Sequence, residues 1–175
     1  MHIFLFIIFF SFTFPQHWEV DTTFSYIRYT GNHTLHSWDG VSNNIDFILD
    51  CIDEDCTINI ASPLEEFDSG NDSRDSNMLY YTESLLYPIV SFESQRFKFN
   101  QTFDQSIDLV GNLNFHGINK EIPIKIFLSK EKDDFWGICN FTVDLDLFDV
   151  EKPSLLMIKI SKDIEVETKL RLIKK

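Results

Sequence analysis

Apolar and polar residues alternate along most of this chain with a period of two, which is typical of half-buried β-strands. The alternation is most regular in the segment 103–115, where Ile107, Leu109 and Leu113 share one face. Similar patterns predict strands at Trp18–Tyr29, Trp38–Asp50, Cys56–Ile60, Ile89–Phe99 and Phe103–Phe115, and over 122–128, 135–145 and 164–172. About eight antiparallel strands result, a number at which a barrel closes around side chains or one small ligand. A flat sandwich fits the same strands.

A polar stretch from Phe67 to Met78 interrupts this pattern and predicts the single helix of the fold. Asp72 or Ser73 can cap such a helix by accepting a hydrogen bond from a free backbone N–H group. Residues that recur at helical spacing form one apolar stripe: Met78, Leu79, Thr82, Leu85 and Leu86. Pro88 prevents the helix from continuing. We therefore predict an all-β fold, an antiparallel barrel with one inserted α-helix at about residues 74–86.

The length of 175 residues suits one domain, and 43% hydrophobic residues, including 18 Phe, provide a full-sized core. The apolar run Met1–Phe14 is too short to span the ~30 Å hydrocarbon core of a bilayer. It is typical of a signal peptide, so we predict a signal peptide at residues 1–16 and one folded domain at 17–175. The protein would then be periplasmic or secreted, without a stable membrane span. A retained anchor or a buried N-terminal strand are the alternatives.

The formal net charge of −13 argues against nucleic acid as a partner. Phosphate backbones and anionic bilayer surfaces are normally bound by clustered Lys and Arg, whereas the basic residues here are scattered.

Two of the three cysteines are candidates for a disulfide. Cys51 and Cys56 flank the acidic stretch Ile52–Asp55, where two strands turn back on each other, and an exported protein can keep such a bond. Cys139 is left over within an apolar strand pattern, so we interpret it as a small buried hydrophobic residue.

Several short motifs, in this order and spacing, resemble the YceI family. They are Trp18-x-Val20-Asp21 with Ser25, His33-x-x-His36 with Trp38-x-Gly40, Phe67-Asp-Ser-Gly70, Arg74-Asp75, Met78-Leu79, Tyr87-Pro88, Gly111-x-Leu113-x-x-His116-Gly117 and Glu151-Lys-Pro-Ser-Leu-Leu156. The likeness runs from about residue 18 to 172. Phe24 and Asn77 stand where many relatives have His.

The resemblance implies an extended, lipocalin-like, antiparallel eight-stranded β-barrel. Its apolar cavity would bind and carry a polyisoprenoid or a similar amphiphilic lipid in the bacterial periplasm. No cofactor other than this lipid is implied, and a homodimer is left open. The candidate ligand-binding residues are Phe24, Phe47, Leu79, Ile107, Leu109, Leu113, Phe115, Ile124, Ile126, Phe141 and Val143.

Other chemistry has weaker support in the sequence. His33 and His36 could contribute to a metal or haem site, which makes a haem- or redox-associated periplasmic partner protein the alternative function. Otherwise His36 and His116 hydrogen-bond backbone groups at the barrel rims. A third hypothesis is a stress-related structural protein without a ligand.

The acidic loop around Asp68 lacks the ordered spacing of a calcium site, so helix capping explains it better. Arg74 could also form an ion pair with Asp75 that anchors this loop. No Gly-x-Ser-x-Gly motif occurs, and we predict that the protein is not an enzyme.

Overall fold

The structure is a computed structural model that describes residues 16–100 and 102–174. It contains thirteen strands: β1 Gln16–Val20, β2 Tyr26–His33, β3 His36–Ser42, β4 Asp46–Ile52, β5 Asp55–Pro63, β6 Ile89–Ser94, β7 Phe97–Lys98, β8 Gln105–Phe115, β9 Ile118–Glu131, β10 Asp134–Asp144, β11 Ser154–Leu155, β12 Ile158–Lys159 and β13 Asp163–Lys174. One α-helix, α1, spans Asp72–Tyr81, and short 3₁₀ turns lie at Leu64–Glu66 and Leu145–Phe148. The predicted signal peptide lies almost wholly outside the described residues.

Eight strands form a closed antiparallel barrel in the order β1-β4-β5-β6-β8-β9-β10-β13, because β13 also pairs with β1. This closure confirms the predicted barrel and excludes the alternative of a flat sandwich. In the described part of the chain, no helix has both the length and the apolar character needed to cross a membrane.

Strand β13 is shared by two partners. Leu172 pairs with Val20 of β1, and Val166 pairs with Tyr29 of β2. Between these two pairings, the Ser25 hydroxyl donates to the Asp21 carbonyl and accepts the Arg171 N–H. The backbone between β1 and β2 is therefore unpaired with β13 for a few residues. The predicted single strand 18–29 is therefore two strands.

The two ends of the barrel differ. At the end that carries the β4–β5 turn, β1 and β4 complete the ring, and Cys51 and Cys56 are joined by a disulfide. At the opposite end the β2–β3 hairpin separates from β4 and β5. A loop bridges this gap, because the Val41 and Asp68 backbones exchange hydrogen bonds of 2.9 and 3.0 Å. We call these the closed end and the open end.

Helix α1 lies at the open end and is capped by Asn71, whose side chain accepts the Arg74 N–H at 3.0 Å. The predicted cap at Asp72 or Ser73 was one or two residues late. The helix ends at Tyr81, five residues before the predicted end, since Glu83 adopts a φ of 47°.

Of the predicted apolar stripe, only Met78 and Leu79 consequently lie within the helix, and Thr82 is its C-cap. Leu85 and Leu86 follow the helix in turns and are 99% and 70% exposed. The Thr82 hydroxyl instead donates to the Met78 carbonyl at 2.8 Å, which satisfies a carbonyl at the helix end.

Three aromatic rings fill the closed end of the barrel. Trp18, Phe99 and Phe135 are almost completely buried, with ring centroids 5.1 to 5.9 Å apart and edge-on geometry. Such aromatic pairs stabilise a core beyond the area that they bury.

We expect Phe135→Ala to lower the free energy of unfolding by about 3–5 kcal/mol, because it leaves a cavity within this ring cluster. Phe127→Ala is the matched control, since Phe127 is exposed on the outside of β9, and it should cost less than about 1 kcal/mol. Urea unfolding followed by circular dichroism measures both values. Equal losses would contradict the assigned role of the cluster.

Candidate functional site

A cavity of about 450 Å³ lies inside the barrel between the aromatic cluster and the open end. Its lower part is lined by Leu109, Leu128, Gly137, Leu170 and Leu172, which sit on inward-facing positions of β8, β9, β10 and β13. None of the three clustered rings lines it, so the cluster forms a solid floor. The volume falls within the range of small-molecule sites, ~300–1,000 Å³.

The cavity brings together eight of the eleven candidate residues. They are Phe47, Leu109, Leu113, Phe115, Ile124, Ile126, Phe141 and Val143. All belong to strands whose alternation points these side chains inward.

Three candidate residues do not line the cavity. Phe24 lies in the break between β1 and β2, where its exposed ring faces the Arg171 guanidinium at 5.1 Å. Ile107 packs against the closed-end core and does not line the cavity, although its cross-strand partner Ile126 does. Leu79 is half-buried on α1, which contributes Met78 and Tyr81 instead.

Sequence reasoning missed most of the residues that line the cavity near the open end. Tyr29 and Trp38 come from β2 and β3, while Leu155 comes from the β11–β12 hairpin. Alternation in β2 could have indicated Tyr29. No local pattern signals the hairpin, because its four paired residues are too few for a periodicity.

Polar side chains of the lining collect at the open end. His33, His36, Arg74, Asn77 and Glu151 lie on its rim, whereas the lower walls are almost wholly apolar. A long apolar chamber with polar groups at one end suits a molecule with an apolar tail and a polar head.

Arg74 is the rim cation without a carboxylate partner. Among the described residues no Asp or Glu oxygen lies within 4.0 Å of its guanidinium nitrogens. One nitrogen donates to the Ser69 carbonyl at 3.4 Å, and the group lies 6.0 Å from the Trp38 ring. The expected ion pair with Asp75 is wrong, because Asp75 accepts the Ser69 N–H instead. Most of the Arg74 donors are therefore available.

Tyr29 adds a buried hydroxyl to the same wall. Its oxygen finds no hydrogen-bond partner among the described residues. Burial raises the pKa of Tyr29 to about 12, and the charge of Asp75 adds to the effect. The hydroxyl consequently stays protonated and can donate to a ligand.

The histidines have structural contacts. His33 accepts the Leu35 N–H at Nδ1 and donates from Nε2 to the Ile158 carbonyl at 3.2 Å, so both ring nitrogens are used. His116 donates from Nδ1 to the Phe148 carbonyl at 2.8 Å, as predicted. His36 instead packs its ring against Trp38. Within residues 16–100 and 102–174, no group of three or more His, Cys, Asp or Glu could hold a metal ion.

The polar loop before α1 caps backbone groups, as the capping interpretation predicted. Asp68 accepts the Gly70 N–H at 2.6 Å, and Asn71 caps the helix.

These features define a class of protein: a closed antiparallel β-barrel with an internal apolar cavity and a polar rim at one end. Residues 18–172 match the model of the YceI-like domain family. The chain belongs to this family, which confirms the resemblance found in its motifs.

Known relatives share most of the chain. A UPF0312 protein of Pseudomonas savastanoi pv. phaseolicola is 27% identical over 162 residues, which are 87% of this chain and 81% of the relative. A UPF0312 protein of Pseudomonas putida strain KT2440 is 26% identical over a stretch of the same length.

Solved structures share the fold. A polyisoprenoid binding domain from Saccharophagus degradans superposes with a TM-score of 0.74 at 14% identity, over 89% of this chain and 97% of that chain. Burkholderia cenocepacia BcnA superposes with a TM-score of 0.75 at 11% identity, over 87% and 99%. At such identities the likeness establishes the fold alone.

We expect Cys139, which is buried and lines the cavity, to resist alkylation by iodoacetamide at pH 8. Burial raises the pKa of its thiol to about 11, so the reactive thiolate forms only as the pH approaches that value. After unfolding in urea without reductant, one thiol per chain should react, because Cys51 and Cys56 are oxidised. Cys139→Ser is the control and should show none. Rapid labelling of the folded protein at pH 8 would contradict this description.

Proposed function

We propose that this protein is a non-enzymatic carrier that encloses the tail of a polyisoprenoid or a similar amphiphilic lipid. The observation that carries the proposal is the chamber of about 450 Å³, whose lower walls are almost wholly apolar and whose charged side chains lie at one end. The neighbour from S. degradans described as a polyisoprenoid binding domain supports the choice of ligand class.

Burial of the tail supplies the binding energy. Each CH₂ group removed from water contributes ~0.8 kcal/mol. Ordering of the chain and loss of its free motion offset most of the sum, so the measured affinity reflects how much of the tail fits. The length of the chamber therefore selects tail length.

The polar head would lie at the open end beside Arg74. A half-buried guanidinium without a carboxylate partner is suited to an anionic group, since it can donate two parallel hydrogen bonds to phosphate or carboxylate oxygens. The Tyr29 hydroxyl and the Asn77 side chain border the same space. We infer that the preferred ligand carries an anionic head.

The site is suited to carriage and not to catalysis. Its inner walls offer few groups that could transfer protons, and both ring nitrogens of His33 are held by backbone groups. The Cys51–Cys56 disulfide supports an oxidising compartment, as expected for a protein exported through a signal peptide at residues 1–16. We propose that the carrier works in the periplasm or outside the cell.

Gly137 allows a test of tail-length selection. A Cβ atom added there would meet only the Leu128 side chain at 3.4 Å and the Leu170 carbonyl at 4.0 Å, so a larger side chain can enter the chamber floor. We expect Gly137→Leu to weaken binding of a long polyprenol by about tenfold, through loss of about two buried CH₂ groups. A prenol too short to reach the floor should bind as before. Titration of both lipids, monitored by tryptophan fluorescence, measures the difference.

Asn140→Leu is the matched control, because Asn140 lies on the outer face of the same strand. Native mass spectrometry of the purified protein gives an independent readout of bound lipid. The proposal fails if the wild-type protein has no measurable affinity for prenyl lipids, or if Gly137→Leu weakens short and long tails equally.

Arg74→Gln tests where the head lies. We expect a loss of about tenfold in affinity for a polyprenyl phosphate, since a charge-assisted hydrogen bond contributes ~1.5–3 kcal/mol. Affinity for the uncharged polyprenol of the same length should stay unchanged. Arg96→Gln, at an exposed position in the turn between β6 and β7, controls for the change in net charge. Equal losses for both lipids would indicate that Arg74 only holds the rim together.

A further inference from the structure

The open end carries an apolar tip that neither the core nor the cavity explains. We propose that the hairpin of β11 and β12 docks this end onto the surface of a phospholipid bilayer, from which the ligand enters the barrel. This inference rests on the proposed function and names the surface on which loading takes place.

The hairpin exposes four consecutive apolar residues. Leu156 and Met157 form its two-residue turn and are 76% and 100% exposed, while the flanking Leu155 and Ile158 are about half exposed. Leu35, at the tip of the neighbouring β2–β3 turn, is also exposed. Single exposed apolar residues are ordinary, but a group of five at the tips of two adjacent turns marks a contact surface.

The backbone of this turn is unfavourable for the residues that it contains. Leu156 and Met157 have φ values of 52° and 67°. A two-residue hairpin loop with positive φ at both positions strongly favours Asn-Gly, since side chains with a bulky Cβ are strained there. Large apolar residues at such positions, fully in water, stabilise neither the turn nor the core. Their presence therefore points to a partner outside the barrel.

The two turns are held together as one unit. The His33 ring donates to the Ile158 carbonyl at 3.2 Å, and the Ser161 N–H donates to the Asn32 carbonyl at 2.7 Å. Leu155 both lines the cavity and is exposed at the hairpin, so the apolar tip continues directly into the chamber wall. A lipid that leaves a bilayer at this tip would meet apolar surface all the way inside.

The continuity of the apolar tip with the chamber favours a bilayer as the occupant, and the tip itself carries no negative charge. The segments 32–38 and 152–162 contain no Asp or Glu, although the chain has 28 of them. Lys159 on the hairpin is exposed, whereas Lys152 and Lys162 are paired with Asp146 and Asp144. An exposed apolar tip with one flanking lysine is suited to insertion at the interface of a bilayer.

The rim around the tip is acidic. The loop before α1 and the helix itself contain Glu65, Glu66, Asp68, Asp72 and Asp75, and the segment before β11 contains Asp146, Asp149 and Glu151. An anionic bilayer surface would repel this rim. The occupant is therefore a bilayer of zwitterionic phospholipid, which the protein contacts through the apolar tip.

A segment of the same chain is a poorer occupant of the tip. The described residues begin at Gln16, which pairs with Cys51 at the closed end. The apolar segment before it would have to run back along the whole barrel to reach the hairpin.

The test uses sedimentation of the protein with vesicles of phosphatidylcholine alone, which contain no prenyl lipid. We expect the wild-type protein to bind these vesicles. The double variant Leu156→Asn, Met157→Gly should bind at least about tenfold more weakly, because it removes the two most exposed apolar side chains. It should fold at least as well as the wild type, since Asn-Gly suits the turn. Ile52→Asn is the matched control, at a residue 57% exposed at the closed end, and should bind like the wild type.

Binding of a soluble fluorescent farnesyl probe without vesicles separates this inference from the proposed function. Retained probe affinity with lost vesicle binding in the double variant supports docking. Docking is overturned if the wild type does not bind vesicles, or if the double variant binds them unchanged. It is also overturned if analytical ultracentrifugation finds that the hairpin holds a second copy of the chain and vesicles do not compete with it. Failure of the wild type to bind the probe would instead contradict the proposed function.

Discussion

The structure depends on the pairing of β13 with two separate strands. Its second half closes the barrel against β1, and its first half holds β2, which carries the open end away from the ring. Closure removes the exposed edges that an open sheet would present. It also turns every inward-facing row of side chains toward one enclosed space. The cavity therefore follows from a backbone hydrogen-bond pattern before any single lining residue is considered.

What fills that space differs along the barrel axis. Trp18, Phe99 and Phe135 occupy the closed end with close edge-on contacts, while Gly137 and Cys139 leave the region above them open. At the open end a loop and a helix replace continuous strand pairing, and they bring polar groups to the rim. One end is thus a packed core and the other is open, an arrangement that suits the proposed carriage of a lipid.

The strand pattern could be predicted because a barrel strand has one face inside and one outside, so its sequence records the fold residue by residue. Predictions were wrong where the sequence pattern no longer reports which side of the barrel a residue faces. Leu85 and Leu86 matched a helical stripe, but a positive φ at Glu83 ends the helix before them. Phe24 matched a strand, but the backbone leaves the ladder at that point. Ile107 packs into the core from the inner face of β8 but does not line the cavity, although its partner Ile126 on β9 does.

The sequence by itself determined most of the barrel strands, their inward faces, the family and the pair of cysteines near a turn, because each is recorded in local spacing or in a short motif. Only the tertiary structure decided which inward residues form the floor and which line a void, since that depends on the stagger of strands distant in the chain. It also decided that Arg74 has no carboxylate partner and that the Leu156–Met157 turn projects beside the entrance. Both result from where neighbouring elements end in space, which no local pattern records.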